Sequence, residues 1–173
     1  CEMCIRDRVL EQGINPGDAY KLVLHALNKE SGLKALCQTN MMQDIRTRAL
    51  DGDAVAATVI DIYAYRIARY VGQYWATLPW VDAIVFTAGV GENEPYIRKK
   101  ILGFLENLEI TVDDDQNAIR KEEVIFGQSL LKPGHPLSVM VIPTDEESVI
   151  GYDALYLGYL KQPVHTVYPF EMH

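Results

Sequence analysis

The residues best suited to chemistry in this 173-residue chain stand together at Gly89-Val90-Gly91-Glu92-Asn93. Two glycines one residue apart leave no Cβ in the way, so backbone N–H groups there can approach an anion such as a phosphate. Glu92-Asn93-Glu94-Pro95 then reads as a helix start, with Asn93 as cap, Glu94 at the positive end and Pro95 tolerated in the first turn. A bare Gly-x-Gly is equally a tight strand-to-helix turn that binds nothing. Glu146, within Thr144-Asp145-Glu146-Glu147, is the second candidate. Its hard oxygen can hold or orient Mg2+, directly or through water, yet Glu is also ordinary chemistry for a helix start. Other groups carry less. Cys1 and Cys4 have C-x-x-C spacing, but a structural metal would need a second pair of ligands. Asp113-Asp114-Asp115 is a charge run that reads as a solvated helix start. His25 falls within a helix, where a structural or exposed role is expected.

Two apolar runs must position these residues. Val81 to Thr87 reads as a buried strand feeding the glycines, and Leu137 to Ile142 as a second strand feeding Thr144 to Glu147. Strands that each run into a helix through a turn fit an α/β layer architecture, with ligands beyond the carboxyl ends of the strands. The two turns are therefore expected to converge on one ligand. Upstream, Val9 to Gln12 reads as a helix end stopped by Gly13. Asn15-Pro16-Gly17-Asp18 starts the next helix, which runs from Ala19 to Lys29 and ends at Ser31-Gly32. Leu33 to Met42 reads as irregular. Met42 to Leu50 is a short helix stopped by Asp51-Gly52, and Asp53 caps a long helix from about Ala54 to Leu78. Its apolar stripe is Ile60, Tyr63, Ile67, Tyr70 or Val71, and Tyr74, expected to be core or subunit contact. Pro95 to Asn107 reads as a helix with Ile97, Ile101, Phe104, Leu105 and Leu108 on one face. Ile110 to Val112 is a short strand, and Asn117 to Phe126 leads into a loop that ends at Gly134-His135-Pro136. Glu146 and Glu147 open a helix to about Leu160.

The totals bound the class. The length suits one ordinary domain with a real core. Apolar residues at 49% and charged residues at 23% are typical of soluble globular proteins. A net charge of −8 argues against a general nucleic-acid binder. No apolar run approaches the roughly 20 residues of a membrane span, and no signal-peptide pattern opens the chain. Three cysteines, an odd and sparse set, suggest a reducing compartment, so a cytoplasmic location is expected.

Four ordered strings carry a family resemblance. Phe86-Thr87-Ala88-Gly89-Val90-Gly91-Glu92-Asn93, with Arg98 following, closely resembles the nucleotide-binding signature of acetate kinases. Val141-Ile142-Pro143-Thr144-Asp145-Glu146-Glu147 is similar to that family's Pro-Thr-Asn-Glu-Glu segment. Leu27-Asn28-Lys29-Glu30-Ser31-Gly32-Leu33 resembles its Leu-Asn-Lys-Lys-Ser-Gly, and Asp61 to Tyr74 its long helix. The resemblance runs from about residue 9 to about 160. Residues 1–8 do not fit it and resemble translated adapter read-through, so they are expected to be a non-native leader. Residues 9–161 would be a C-terminal nucleotide-binding lobe, and 162–173 a loosely held tail.

The resemblance implies a ribonuclease H-like, actin-like ATPase α/β lobe with several packed helices. It implies in-line phosphoryl transfer between ATP and acetate, with ATP or ADP bound by this lobe, Mg2+ as cofactor and a homodimer, without nucleic acid or membrane as partner. Gly89, Val90, Gly91, Glu92 and Asn93 would line the adenosine and phosphates, and Glu146 the magnesium. Met41, Met42 and Gln43 would form the opposite wall, where the family usually carries Asp-hydrophobic-Arg. Met41 and Gln43 cannot supply those charges. A shifted alignment would use Asp44-Ile45-Arg46 instead. No catalytic residue is expected in this chain, because the family's acetate-binding arginines, catalytic aspartate and transition-state histidine lie in a lobe absent from it, and the fragment alone is expected to be inactive. Propionate or butyrate kinase is a rival of the same class. A dinucleotide-binding oxidoreductase would need a third glycine where Glu94 stands. A non-enzymatic helical interaction module is the remaining alternative.

Overall fold

The computed structural model describes Gly13, residues 15–131 and residues 134–161. The helix end read at Val9 to Gln12, the leader and the tail lie outside the described residues. In chain order the elements are α1 (Pro16–Lys29), α2 (Gly32–Cys37), α3 (Met42–Leu50), α4 (Ala54–Thr77), β1 (Ala83–Phe86), α5 (Ala88–Asn93), α6 (Pro95–Gly103), a 3-10 turn (Glu106–Leu108), β2 (Thr111–Val112), α7 (Asp114–Ala118), β3 (Val124–Ser129), β4 (Leu137–Val141) and α8 (Glu146–Asp153). A wider π-type stretch, Ala154–Leu160, continues α8. The described residues fall into two compact units: a helical unit of 15–81 and 94–110, and a sheet unit of 82–93 and 111–161.

In the helical unit the polar cap signals act as expected. Asn15 Oδ1 accepts from the N–H groups of Gly17 and Asp18 at 2.9 and 3.1 Å and starts α1. The first helix ends at Lys29, just before Ser31-Gly32 as read, and the same pair opens the next helix. Gly32 takes φ +64°, which glycine adopts without steric penalty, and α2 begins at once. The stretch read as irregular is therefore helical as far as the buried Cys37. Arg48 ties the next elements together. Its Nε and Nη2 donate to Asp53 Oδ2 at 2.9 and 2.6 Å, and its Nη1 donates to the Cys37 carbonyl at 2.8 Å. The other Asp53 oxygen caps α4 by accepting from Val55 and Ala56. The Ala56 N–H, then Arg48, hold the Asp53 carboxyl below the usual carboxylate range.

Helix α4 packs on α2, α3 and α6. Its most buried row is Ala56, Ile60, Ala64 and Ala68, spaced four residues apart on one ridge. The expected stripe is corrected on this point. Tyr63, Ile67 and Val71 flank the ridge half-buried, while Tyr70 and Tyr74 are 58% and 63% exposed. Small residues let the partner helices approach, so the large aromatics are left on the rim. Burying Ile60 fully contributes about 1.5–3 kcal/mol. From α6 and the turn after it, Ile97, Ile101, Leu105 and Leu108 enter the core as read, and Leu102 joins them. Phe104 does not. It stays half in solvent, with its ring edge-on to Tyr65 at 5.5 Å.

The sheet unit has strand order β1-β4-β3-β2. β1 runs parallel to β4, from Ala83 opposite Ser138 to Phe86 opposite Val141. β3 lies antiparallel to β4, and β2 antiparallel to β3. Both β-branched runs are thus strands, slightly shorter than read. β3 corrects the sequence reading, which took this stretch as the approach to a loop. A register shift between Ile125 and Gly127 leaves Phe126 as an extra residue, which breaks the alternation that marks a strand. Phe126 is buried, with its ring 5.9 Å from that of Phe86. Asp113 starts α7 by accepting from Asp115 and Gln116, so the acidic run is a helix start as read. Helix α8 buries none of its residues.

Candidate functional site

β1 and β4 are parallel, so their carboxyl ends lie at the same edge of the sheet, and the turns after them are neighbours. The first turn differs from the glycine loop expected. Ala88, not a glycine, takes the left-handed conformation, at φ +58°, and Gly89 and Gly91 sit inside α5 with ordinary helical backbone. The helix thus begins at Ala88, before the expected cap. Asn93 does not cap α6: its Nδ2 donates back to the Gly89 carbonyl at 3.0 Å, and Glu94 occupies the cap position. The two glycines have different surroundings. A Cβ at Gly91 would lie 3.3 Å from the carbonyl carbon of Phe86, whereas one at Gly89 would meet nothing within 4 Å. Gly91 therefore lets α5 fold close against the end of β1, and Gly89 leaves open space over the turn.

Glu92 joins the two turns. Its side chain is only 9% exposed, and Oε1 accepts from the Thr144 N–H at 2.9 Å and from the Thr144 hydroxyl at 3.0 Å. The Thr144 N–H does most to hold the carboxyl below its usual range, and the Ala88 N–H adds to it. The turns after the two strands are thus tied to each other, through a side chain expected from the sequence to line the nucleotide. Downstream, Asp145 starts α8 by accepting from the Ser148 N–H at 3.2 Å, and Glu146 is the first helical residue, exposed. Among the described residues no group of three or more His, Cys, Asp or Glu side chains gathers to hold a metal. Glu146 is one exposed carboxylate at the start of α8 and not part of such a group. That fits an ion carried chiefly by phosphates and water, the usual state of Mg2+, and not a cage of protein ligands.

Met41, Met42 and Gln43 belong to the helical unit, at the start of α3. Met41 is the cap residue and makes no side-chain cap; it is 58% exposed. Met42 is 6% exposed, so its side chain belongs to the core. Gln43 is exposed, and its carbonyl accepts from Thr47. In the shifted alternative, Asp44 is exposed and Ile45 fully buried, while Arg46 Nη1 donates to Glu94 Oε2 at 2.9 Å. That pair is largely buried, with Arg46 and Glu94 side chains 19% and 8% exposed, and Arg46 Nε is buried without a hydrogen-bond partner among the described residues. The link spans 48 residues and left no signal in the sequence. Thr144, by contrast, stands in a motif already singled out, and a hydroxyl three residues past the end of β4 is the available cue.

A small mixed sheet with packed helices and two turns at one sheet edge defines a mixed α/β protein. The sequence profile of the acetokinase family matches residues 14–152, and the chain belongs to that family. It is 46% identical over 129 residues to the acetate kinase of Clavibacter michiganensis, covering 75% of this chain and 32% of that protein. It is 42% identical over 147 residues to the acetate kinase of Thermotoga maritima, covering 83% and 34%. Among solved structures, Porphyromonas gingivalis acetate kinase superposes with a TM-score of 0.68 at 30% identity, covering 87% of this chain and 37% of its own. A propionate kinase from Francisella tularensis superposes with a TM-score of 0.65 at 33% identity, covering 79% and 36%. The chain spans about a third of the length of the curated relatives it matches.

Proposed function

We propose that this chain is the nucleotide-binding part of an acetate kinase, which transfers a phosphoryl group between ATP and acetate to give acetyl phosphate. The observation that carries the reading is the pair of family turns held side by side at the carboxyl ends of β1 and β4. In it, the open face at Gly89 and Val90 admits the phosphates to the backbone, with Gly91 and Asn93 shaping the turn beneath them. Phosphoryl transfer of this kind depends on positioning and charge neutralisation rather than on a protein nucleophile. A bound Mg2+ neutralises phosphate charge, and Glu146 is the residue here that would hold or orient it. Met41 and Gln43 offer the base and ribose no charge, with Met42 supporting them from the core. The acetate site and the catalytic groups belong to the rest of a longer, cytoplasmic enzyme of organic acid metabolism, so the chain alone is inactive. It self-associates through the exposed aromatics of α4, Tyr70 and Tyr74; a monomer by light scattering at high concentration would count against that.

The test is a titration of the chain with fluorescent ADP and ATP analogues, with and without Mg2+. Saturable binding that unlabelled ATP displaces is expected. Its absence from a folded chain would overturn the reading in favour of a helical interaction module. Propionate kinase is the second reading, favoured by the 33% identity to the Francisella structure. Turnover of propionate against acetate by the longer enzyme separates the two.

A further inference from the structure

Building on the phosphotransferase reading, we propose that Glu92 is a positioning residue and not a nucleotide ligand: its carboxylate fixes the turn into α8 and thereby aims Glu146. Glu92 is buried, and one of its oxygens takes both the N–H and the hydroxyl of Thr144, at 2.9 and 3.0 Å. These bonds, with that from the Ala88 N–H, commit the charged group to the protein's own donors. A carboxylate turned towards nucleotide phosphates would instead repel them. Two residues beyond Thr144 stands Glu146, with Asp145 between them capping α8. Burial does not fix that helix, because none of its residues is buried. Besides the Asp145 cap, the strand end and this brace hold its first turn. The Ile142 N–H donates to the Phe86 carbonyl at 3.0 Å, and Thr144 is held by Glu92. Side chains that orient a metal-holding group without touching the ion influence metal affinity strongly.

The experiment uses the 173-residue chain, with a fluorescent ADP analogue titrated at increasing Mg2+, alongside amide hydrogen exchange at residues 144–147. Glu92→Ala is expected to raise the Mg2+ midpoint by about 10-fold or more, leave metal-free ADP affinity unchanged, and speed exchange at residues 144–147. Thr144→Val, which removes only the hydroxyl, should act in the same direction and more weakly, and Thr144→Ser should restore the parent values. Thr144→Val also serves if Glu92→Ala does not fold. A loss of metal-free ADP affinity with the Mg2+ midpoint unmoved would make Glu92 a direct ligand and overturn the proposal. So would unchanged amide exchange in Glu92→Ala. A folded parent that binds no ADP would refute the phosphotransferase reading instead, and the exchange data would still decide the brace.

Discussion

Gly89→Ala separates stability from binding in the first turn. Gly89 is helical, its φ lies outside the left-handed region, and a Cβ there meets nothing within 4 Å. Alanine removes backbone freedom from the unfolded chain and suits a helix, so the folded state should gain about 0.5–1 kcal/mol. For a chain of this size that is a rise in Tm of roughly 1–4 °C. If phosphate oxygens approach the backbone where the Cβ would stand, the same methyl should weaken ATP binding about 10-fold or more, since a lost charge-assisted hydrogen bond is worth about 1.5–3 kcal/mol. Gly91→Ala is the control with the opposite stability sign. Its Cβ would stand 3.3 Å from the Phe86 carbonyl carbon and 3.5 Å from its Cβ, so α5 must shift by a few tenths of an ångström against the strand end. Overpacking of this kind costs about 1–3 kcal/mol. Thermal unfolding and nucleotide titration of the two variants supply the assay. A Gly89→Ala chain that is more stable and binds ATP as tightly as the parent would refute the backbone–phosphate reasoning.

Other expectations follow from single contacts. Met41→Asp supplies the missing cap of α3 and should stabilise the chain by about 1 kcal/mol; with Gln43→Arg added, a nucleotide panel should shift towards ATP over GTP, and an unchanged panel would direct attention to Asp44 and Arg46. Glu94→Ala leaves the Arg46 guanidinium largely buried without its carboxylate and should cost about 3 kcal/mol or more, while the paired change Arg46→Met with Glu94→Leu should recover most of it; equal losses in a denaturant series would discount the pair. Asp53 and Glu92 both have folded carboxyls below their usual range, so their contribution is present above about pH 4 and is lost as pH falls through the folded values. Urea midpoints between pH 6 and 3 should therefore fall less steeply for Asp53→Asn than for the parent.

Much of this fold is legible from local chemistry. Met42 to Leu50, the Asp53 cap and the two β-branched runs are written in residues whose preference is local: a carboxylate that accepts from the next turn, a glycine that ends a helix, side chains that favour a pleated surface. What escaped is what depends on distant partners. β3 is masked by the extra residue at Phe126, which only the pairing with β4 reveals. The aromatic stripe of α4 reads as core until the row of small residues beside it turns out to be the buried one. At the candidate site, the positions of the two turns follow from the strands. The helical state of Gly89 and Gly91 follows instead from Ala88 taking the left-handed backbone, and a glycine pair in sequence hides that.

The parallel pairing of β1 with β4 also bears on the order of assembly. Ser129 and Leu137 face each other across the β3–β4 hairpin, eight positions apart, whereas Ala83 and Ser138 are 55 apart. At about 0.6 kcal/mol per doubling, closing the longer loop costs roughly 1.7 kcal/mol more entropy, so the hairpin has the advantage and β1 docks on a sheet that already exists. The Glu92–Thr144 brace can close only after that docking. Substitutions in the β3–β4 hairpin should then slow refolding, while those around Gly91 and Glu92 should chiefly hasten unfolding. The turn assigned to phosphate would be the last part of the sheet unit to form and the first to open.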